Sequence, residues 1–315
     1  MPPLSGVATL GLVLAAFSAA WVVSECYSAL TGQLEERRRR DGQAQQRRER
    51  LAQLAEAVRR DVALLVPAGD GAALAEVVQR LYERCTADSE DAQHALRAYE
   101  AQGGVAALGR CLRARAKATP ELALAACLLL RECLRAATAA AADAGPMLED
   151  AVLLLKMHPT HRQVACAVAR ALADYTSPRG SAAARSRCRH AVAAEAVPVL
   201  TAMLGDYGKS PEACGAWALA GEALANIASG DAPGCAAAVL TGALPLVLQA
   251  LQQHPTSAPV CEQGCSLLAA LASELSRQQR AVVAQNARGL VLAALQHPSA
   301  RAQAGAAMTA LGIAL

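Results

Sequence analysis

Aromatic side chains are nearly missing from this sequence. One Phe, two Trp and five Tyr make up 3% of 315 residues. Sheet-rich folds draw on aromatics and on Val, Ile and Thr. This chain draws on Ala and Leu, the strong helix formers, with 78 Ala alone. Asparagine is scarcer still: Asn226 and Asn286 are the two present, and neither starts an Asn-x-Ser/Thr sequon. The eleven cysteines are an odd number with no Cys-x-x-Cys pair. Cys127, Cys133, Cys166, Cys214, Cys261 and Cys265 lie inside apolar helical runs, where free cysteine behaves as a small hydrophobe. These features predict a reduced, cytosol-facing chain.

Charge is sparse as well, at 18%, while 54% of the residues are apolar, which excludes wholesale disorder. The formal net charge is +3. Residues 31–60 hold nine Arg against five acids, and residues 1–30 hold only Glu25, so the other 255 residues sum to zero. A neutral body excludes a dedicated nucleic-acid binder, which needs a basic face for phosphates. Catalytic motifs are missing too: there is no GxGxxG, HExxH or GxSxG. Gly208-Lys209-Ser210 has Met203 where a phosphate loop needs glycine, and Pro211 follows it. Cys261 with Cys265, and Cys188 with His190, fall short of the four convergent ligands of a zinc site. His158, His254 and His297 recur before turn prolines and form no set with an acid and a nucleophile. The sequence thus predicts no enzyme, no cofactor and no metal.

The N-terminus holds a run without charge. Residues 5–24 give 20 uncharged, mostly apolar positions, about 30 Å of helix and one hydrocarbon thickness. Trp21 and Tyr27 stand near its C-terminal end, where interfacial aromatics sit. The reading is a single membrane anchor over residues 1–30. A cleaved signal peptide and a helix packed on the body are the alternatives. Arg37 to Arg40, with Arg47, Arg48 and Arg50, follow the span and place that side in the cytosol. Cys26 is placed for S-acylation. Residues 31–66 read as a basic helical spacer, broken at Gly42 and ended by turn signals at 67–71.

Residues 67–315 read as one repeat domain, with the repeating units over 89–315. Leu246–Pro255 (LVLQALQQHP) recurs 44 residues on as Leu290–Pro298 (LVLAALQHP), and Glu222–Ser229 recurs as Ser266–Ser273. Val152–Thr160, Ala196–Leu204 and Gly103–Leu112 occupy the same slot. Each unit reads as a short helix, a Gly or Ala corner, a second helix, a proline-bearing turn and a longer third helix. The long helices are expected near 119–137, 161–175, 211–229, 258–274 and 299–313. Such a unit cannot bury its apolar face alone, and stacked neighbours can. Residues 177–190, with four Arg and no acid, read as a loop inserted between units, with Ser177 and Ser186 as phosphorylation candidates.

Gly242-Ala-Leu-Pro-x-Leu-Val247 and Ala223-Leu-Ala-Asn-Ile-Ala-Ser229 resemble the armadillo repeat family. The resemblance implies an all-α fold, a right-handed α-solenoid of about five repeats over residues 89–315. A HEAT-like helical solenoid is the close alternative. It also implies that the third helices line a concave groove that binds a protein or peptide. In nuclear-import members that groove carries a Trp and, four residues on, an Asn on each third helix, on one helix face. Here the Trp slot holds Arg131, Arg170, Glu222, Ser266 and Met308, and the Asn slot Arg135, Asp174, Asn226, Ala270 and Gly312. Only Asn226 matches, so import-type recognition of basic peptides is not expected. Arg131, Arg135, Arg170, Asp174, Glu222 and Asn226 are the candidate groove residues. Trp217 is out of register and reads as core. Span, basic spacer and repeats together are similar in layout to X-linked-type armadillo proteins of the mitochondrial outer membrane, with the endoplasmic reticulum as the other candidate membrane. A soluble cytosolic adaptor is the alternative.

Overall fold

A computed structural model of the chain describes residues 6–65, 71–86, 90–114, 119–140, 145–177 and 182–314; for residues 6–34, 71, 114, 136–140 and 182 it describes the backbone alone. Among the described residues there are helices and no strand. They run α1 (Gly6–Leu64), α2 (Gly71–Thr86), α3 (Glu90–Ala101), α4 (Gly104–Ala114), α5 (Pro120–Ala140), α6 (Gly145–Met157), α7 (Arg162–Thr176), α8 (Ala182–Ala193), α9 (Ala196–Tyr207), α10 (Cys214–Gly230), α11 (Ala232–Leu240), α12 (Ala243–Gln253), α13 (Ala258–Leu271), α14 (Arg277–Ala294) and α15 (Arg301–Leu311). Single 3-10 turns lead into α10 at Pro211–Ala213 and follow α13 at Ala272–Glu274.

The chain divides into two units, Met1–Glu56 and Ala57–Leu315. In the first, α1 runs straight through Gly42, where the sequence predicts a break. One glycine costs about 1 kcal/mol in a helix interior, and strong helix formers with i,i+4 contacts flank it. Arg40 pairs with Glu36 at 2.5 Å, and Gln45 donates to Glu49 at 2.8 Å. Residues 35–50 are all exposed. Among the residues with described side chains no single helix is long and apolar enough to cross a membrane. The side chains of residues 5–24 and Cys26, where the anchor and the acylation site are expected, lie outside the described residues.

The second unit is built from rows of helices. α2, α5, α7, α10, α13 and α15 pack one on the next and form one row. α4, α6, α9, α12 and α14 form a second. Five of the six first-row helices are the long helices expected from the sequence, within a few residues. Proline starts α5, stands in the 3-10 turn before α10 and in the first turn of α13, where its missing N–H is no loss. The sixth is α2, which extends the row one helix upstream of the repeat seen in the sequence. The end of α1 packs there as well. Val58, Val62 and Leu65 are buried, and buried Asp61 pairs with Arg84 and, at 3.5 Å, with Arg80 of α2.

Three units have the expected helix–corner–helix start: α3/α4, α8/α9 and α11/α12. Their corners are left-handed, with Gly103 at φ 67°, Glu195 at φ 59° and Gly242 at φ 85°. Two units depart from it. α6 stands alone as first and second helix together, and α14 runs unbroken through Asn286, the residue in the slot of Gly242.

The expected loop at 177–190 is a further correction. From Ala182 this segment is α8, the first helix of its unit. Ala184, Cys188 and Ala191 recur at i, i+4, i+7 and are buried, so the segment has an apolar face that its arginines hide in the sequence. A Cβ on Gly230 of α10 would fall 2.5 Å from the Cys188 sulfur, so the glycine makes room for this helix.

The turns between units are tied to each other. The Tyr207 hydroxyl donates to Pro159 O at 2.9 Å, His254 Nε2–H to Gly208 O at 2.8 Å, and His297 Nε2–H to Pro255 O at 2.8 Å. Each bond joins the turn of one unit to that of the unit before it. That gives His254 and His297 a structural use.

Candidate functional groove

The first-row helices present their unburied positions on one side, and there the candidate residues meet. Arg131 of α5 and Asp174 of α7 pair at 2.8 Å (Nε to Oδ2), each side chain about one-third exposed. Arg170 of α7 and Glu222 of α10 approach to 3.6 Å. Arg135 pairs within α5 with Glu132 at 2.9 Å and is otherwise the open one, 61% exposed. Four of the six candidates are therefore brought together as two charged rungs from one repeat to the next.

Asn226 is placed differently. It is 4% exposed and donates from Nδ2 to Ala173 O of α7 at 3.1 Å. Here it is a brace between α10 and α7. Ser266, in the same row of slots, is 6% exposed, and Trp217 is 1% exposed in the core.

A cleft of about 590 Å³ crosses α7, α10 and α13. Its walls hold Arg162, Arg170, Glu212, Glu222, Glu262 and Gln263, with Leu219, Ala258 and Pro259 as apolar floor. Arg162, Glu212 and Glu262 are additions to the sequence-predicted set. The signal that finds two of them is the i−4 step along the same face: Arg170 leads back through Cys166 to Arg162, and Ser266 to Glu262. Further along, a space of about 370 Å³ over α10, α13 and α15 is lined by Ser229, Ser266, Ala269, Ala270, Ala302, Gln303 and Ala306. The row thus changes from charged to small and neutral.

Burial pushes the Cys85 and Cys265 thiols up to about 12 and Cys188 up to about 11, and Cys127 and Cys133 higher still. Such thiols are poor nucleophiles. Among the described residues no three His, Cys, Asp or Glu side chains converge as metal ligands would.

Rows of helices tied turn to turn define an α-solenoid. No family model matches the chain, and no curated protein does. Solved structures match it. An engineered protein superposes with a TM-score of 0.62 at 24% identity, over 81% of this chain and 96% of its own. A designed armadillo repeat protein does so at 0.61 and 18%, over 81% and 99%. Another, solved in complex with the peptide (KR)4, does so at 0.61 and 20%, again over 81% and 99%. The fold is that of the armadillo repeat.

Proposed function

We propose that this chain is a non-catalytic docking scaffold that holds a segment of a partner protein along its first-row helices. The observation that carries the reading is the cleft over α7, α10 and α13. Its floor is apolar, and its walls carry both signs of charge at fixed spacing, so a ligand is both gripped and oriented. Arg170 and Glu222, with Arg162, Glu212 and Glu262, set its charged side; Arg131, Arg135 and Asp174 continue the charged row toward α5. Asn226 braces α10 against α7. A designed relative in fold holds a peptide, which supports a peptide ligand. The missing Trp and Asn ladder argues against a purely basic one.

The scaffold is tethered by residues 5–24 to a membrane, the mitochondrial outer membrane or the endoplasmic reticulum, with the repeats in the cytosol. The uncharged run followed by seven Arg supports this reading. Two tests address the two halves. Fractionation and imaging of the full chain and of residues 31–315, both tagged at the C-terminus, test the tether. Membrane binding of the full chain alone, with the tag accessible from the cytosol, is expected. Solubility of both would end the anchor reading and favour the cytosolic adaptor. For the groove, a photo-crosslinking amino acid is placed in cells at Ser299, which is exposed and lines the same cleft, and, on α9, at Pro198. Adducts at Ser299 alone are expected; equal labelling at both positions, or none at either, would sink the groove.

A further inference from the structure

We propose that Ser177 is a phosphorylation site and that Arg187 is the preformed receptor of its phosphate. Ser177 is exposed and caps the C-terminus of α7 in extended backbone, φ −87° and ψ 158°. A kinase cleft takes an extended substrate, and Ser177 already lies in extended backbone where α7 ends. The next residue in the sequence is Pro178, which suits a proline-directed serine/threonine kinase. Ser186, the other serine of the stretch, lies in the middle of α8 and is locked in helical geometry.

The receptor is the observation that separates this serine from any other exposed one. Arg187 of α8 already reaches Ser177, donating from Nη2 to its carbonyl oxygen at 2.6 Å. Its guanidinium lies over the Tyr175 ring, 5.9 Å from the centroid, which holds the plane in place. Its Nε–H is buried with no hydrogen-bond partner. A phosphate on the neighbouring Oγ brings acceptor oxygens to a fixed, under-used donor fork, the arrangement in which Arg binds phosphate best.

The surroundings favour the same outcome. Arg189 is engaged with Asp231 at 3.4 Å, and Asp174 with Arg131 at 2.8 Å. His190 sits against the Tyr175 hydroxyl at 3.2 Å, and Arg185 is exposed on the same helix. Opposed to them is the C-terminal end of α7, whose carbonyls repel a negative charge. Without Arg187 the phosphate faces that end alone. With it, the modification ties the third helix of one unit to the first helix of the next. In the transfer itself, Ser177 Oγ attacks the γ-phosphorus of a nucleoside triphosphate on the kinase. An O–P bond forms, the bond to the leaving nucleoside diphosphate breaks, and the hydroxyl proton passes to the kinase base.

The test uses the full chain in detergent micelles, a proline-directed kinase and ATP, with intact mass, peptide mapping and 31P NMR. Phosphate is expected on Ser177 by peptide mapping; Thr119-Pro120 and Ser210-Pro211 offer the same kinase motif, so the Ser177 phosphorus signal is assigned by its loss from the Ser177→Ala chain. The second ionisation of a free phosphoserine falls near 6. A cation at hydrogen-bond distance favours the dianion, so the midpoint should fall by roughly 0.5 unit or more. Arg187→Gln should return it to about 6, and Arg187→Lys should keep part of the shift. Circular dichroism checks that both variants are folded. No incorporation into the native chain, with ready modification of a peptide spanning residues 170–185, would overturn the proposal. So would a midpoint that matches free phosphoserine and ignores Arg187→Gln.

Discussion

Asn226 is where a binding role and a structural role make opposite predictions. Its Nδ2 donates across the repeat boundary to Ala173 O, and the residue is almost wholly buried. Asn226→Ala removes that bond. The carbonyl it leaves is not orphaned, because Ser177 N reaches it at 3.1 Å and Thr176 Oγ1 at 3.3 Å. The cost is therefore that of a net buried hydrogen bond, about 1 kcal/mol, plus a small void, together about 1–2 kcal/mol. In a unit of this size each kcal/mol moves the melting temperature by about 2–4 °C. A fall of roughly 3–6 °C is expected in thermal unfolding followed at 222 nm. Asn226→Asp should be worse, since a carboxylate facing a carbonyl brings no donor, and should recover in part at acid pH as the carboxyl gains a proton. Crosslinking at Ser299 should persist in both variants at temperatures where they are folded. Unchanged melting with loss of the crosslink in both would refute the brace and make Asn226 a ligand residue.

Three shorter predictions follow from other parts of the fold. Glu195 holds φ 59° at a corner where the other complete units use glycine, and its Lys156 partner is an exposed ion pair at 2.5 Å; Glu195→Gly should melt no lower than the parent chain, and Glu195→Val clearly lower, by calorimetry. Asp150 is 2% exposed and burial raises its pKa even though Arg113 opposes the shift. A raised carboxyl gives stability that is present below its unfolded value and lost as pH rises through the folded one, so Asp150→Asn should flatten that part of a stability-versus-pH curve and leave the rest. Of the ten cysteines with described side chains, Cys166 and Cys214 are only half-buried and the other eight are buried. With Cys26 replaced by serine, a maleimide at pH 7 should label those two first by mass spectrometry, with the rest following only on unfolding.

How much of this was legible in the sequence follows the range of each interaction. The long helices are written locally, in apolar spacing and in prolines before or within their first turns, and all five stand near where that pattern puts them. α8 was hidden because arginines occupy its exposed face and its apolar face is only Ala and Cys. The fused α14 was hidden for the opposite reason: the 44-residue echo points to a corner at Asn286, but nothing there demands positive φ and the helix runs on. α2 escaped because its place in the row depends on packing against α5 and not on a copied motif. The slots of the candidate groove were readable residue by residue. What fills them was not, because the partners of Arg131, Arg170 and Asn226 lie 43, 52 and 53 residues away.

Those distances matter for what the groove can do. Where a ladder of Asn and Trp leaves its polar groups for a ligand, this one uses Arg131, Asp174, Arg170 and Glu222 on its own neighbours. The pairs are one-third to one-half exposed, so each is worth only about 0.2–1 kcal/mol to the fold. An arriving segment therefore loses little by drawing one partner away. Stability and recognition can then be separated at a single rung. Arg170→Glu sets two carboxylates against each other, and Glu222→Arg sets two guanidinium groups so; each should lower the melting temperature slightly. The double exchange restores the pair and should recover the parent melting temperature, but it reverses the order of charge along the cleft. If the rung serves the ligand as well as the fold, crosslinking at Ser299 falls in the double variant although the protein is as stable as before. If crosslinking is unchanged there while both single variants are destabilised, the rung is a brace alone, and the ligand is read by Arg162, Glu212 and Glu262.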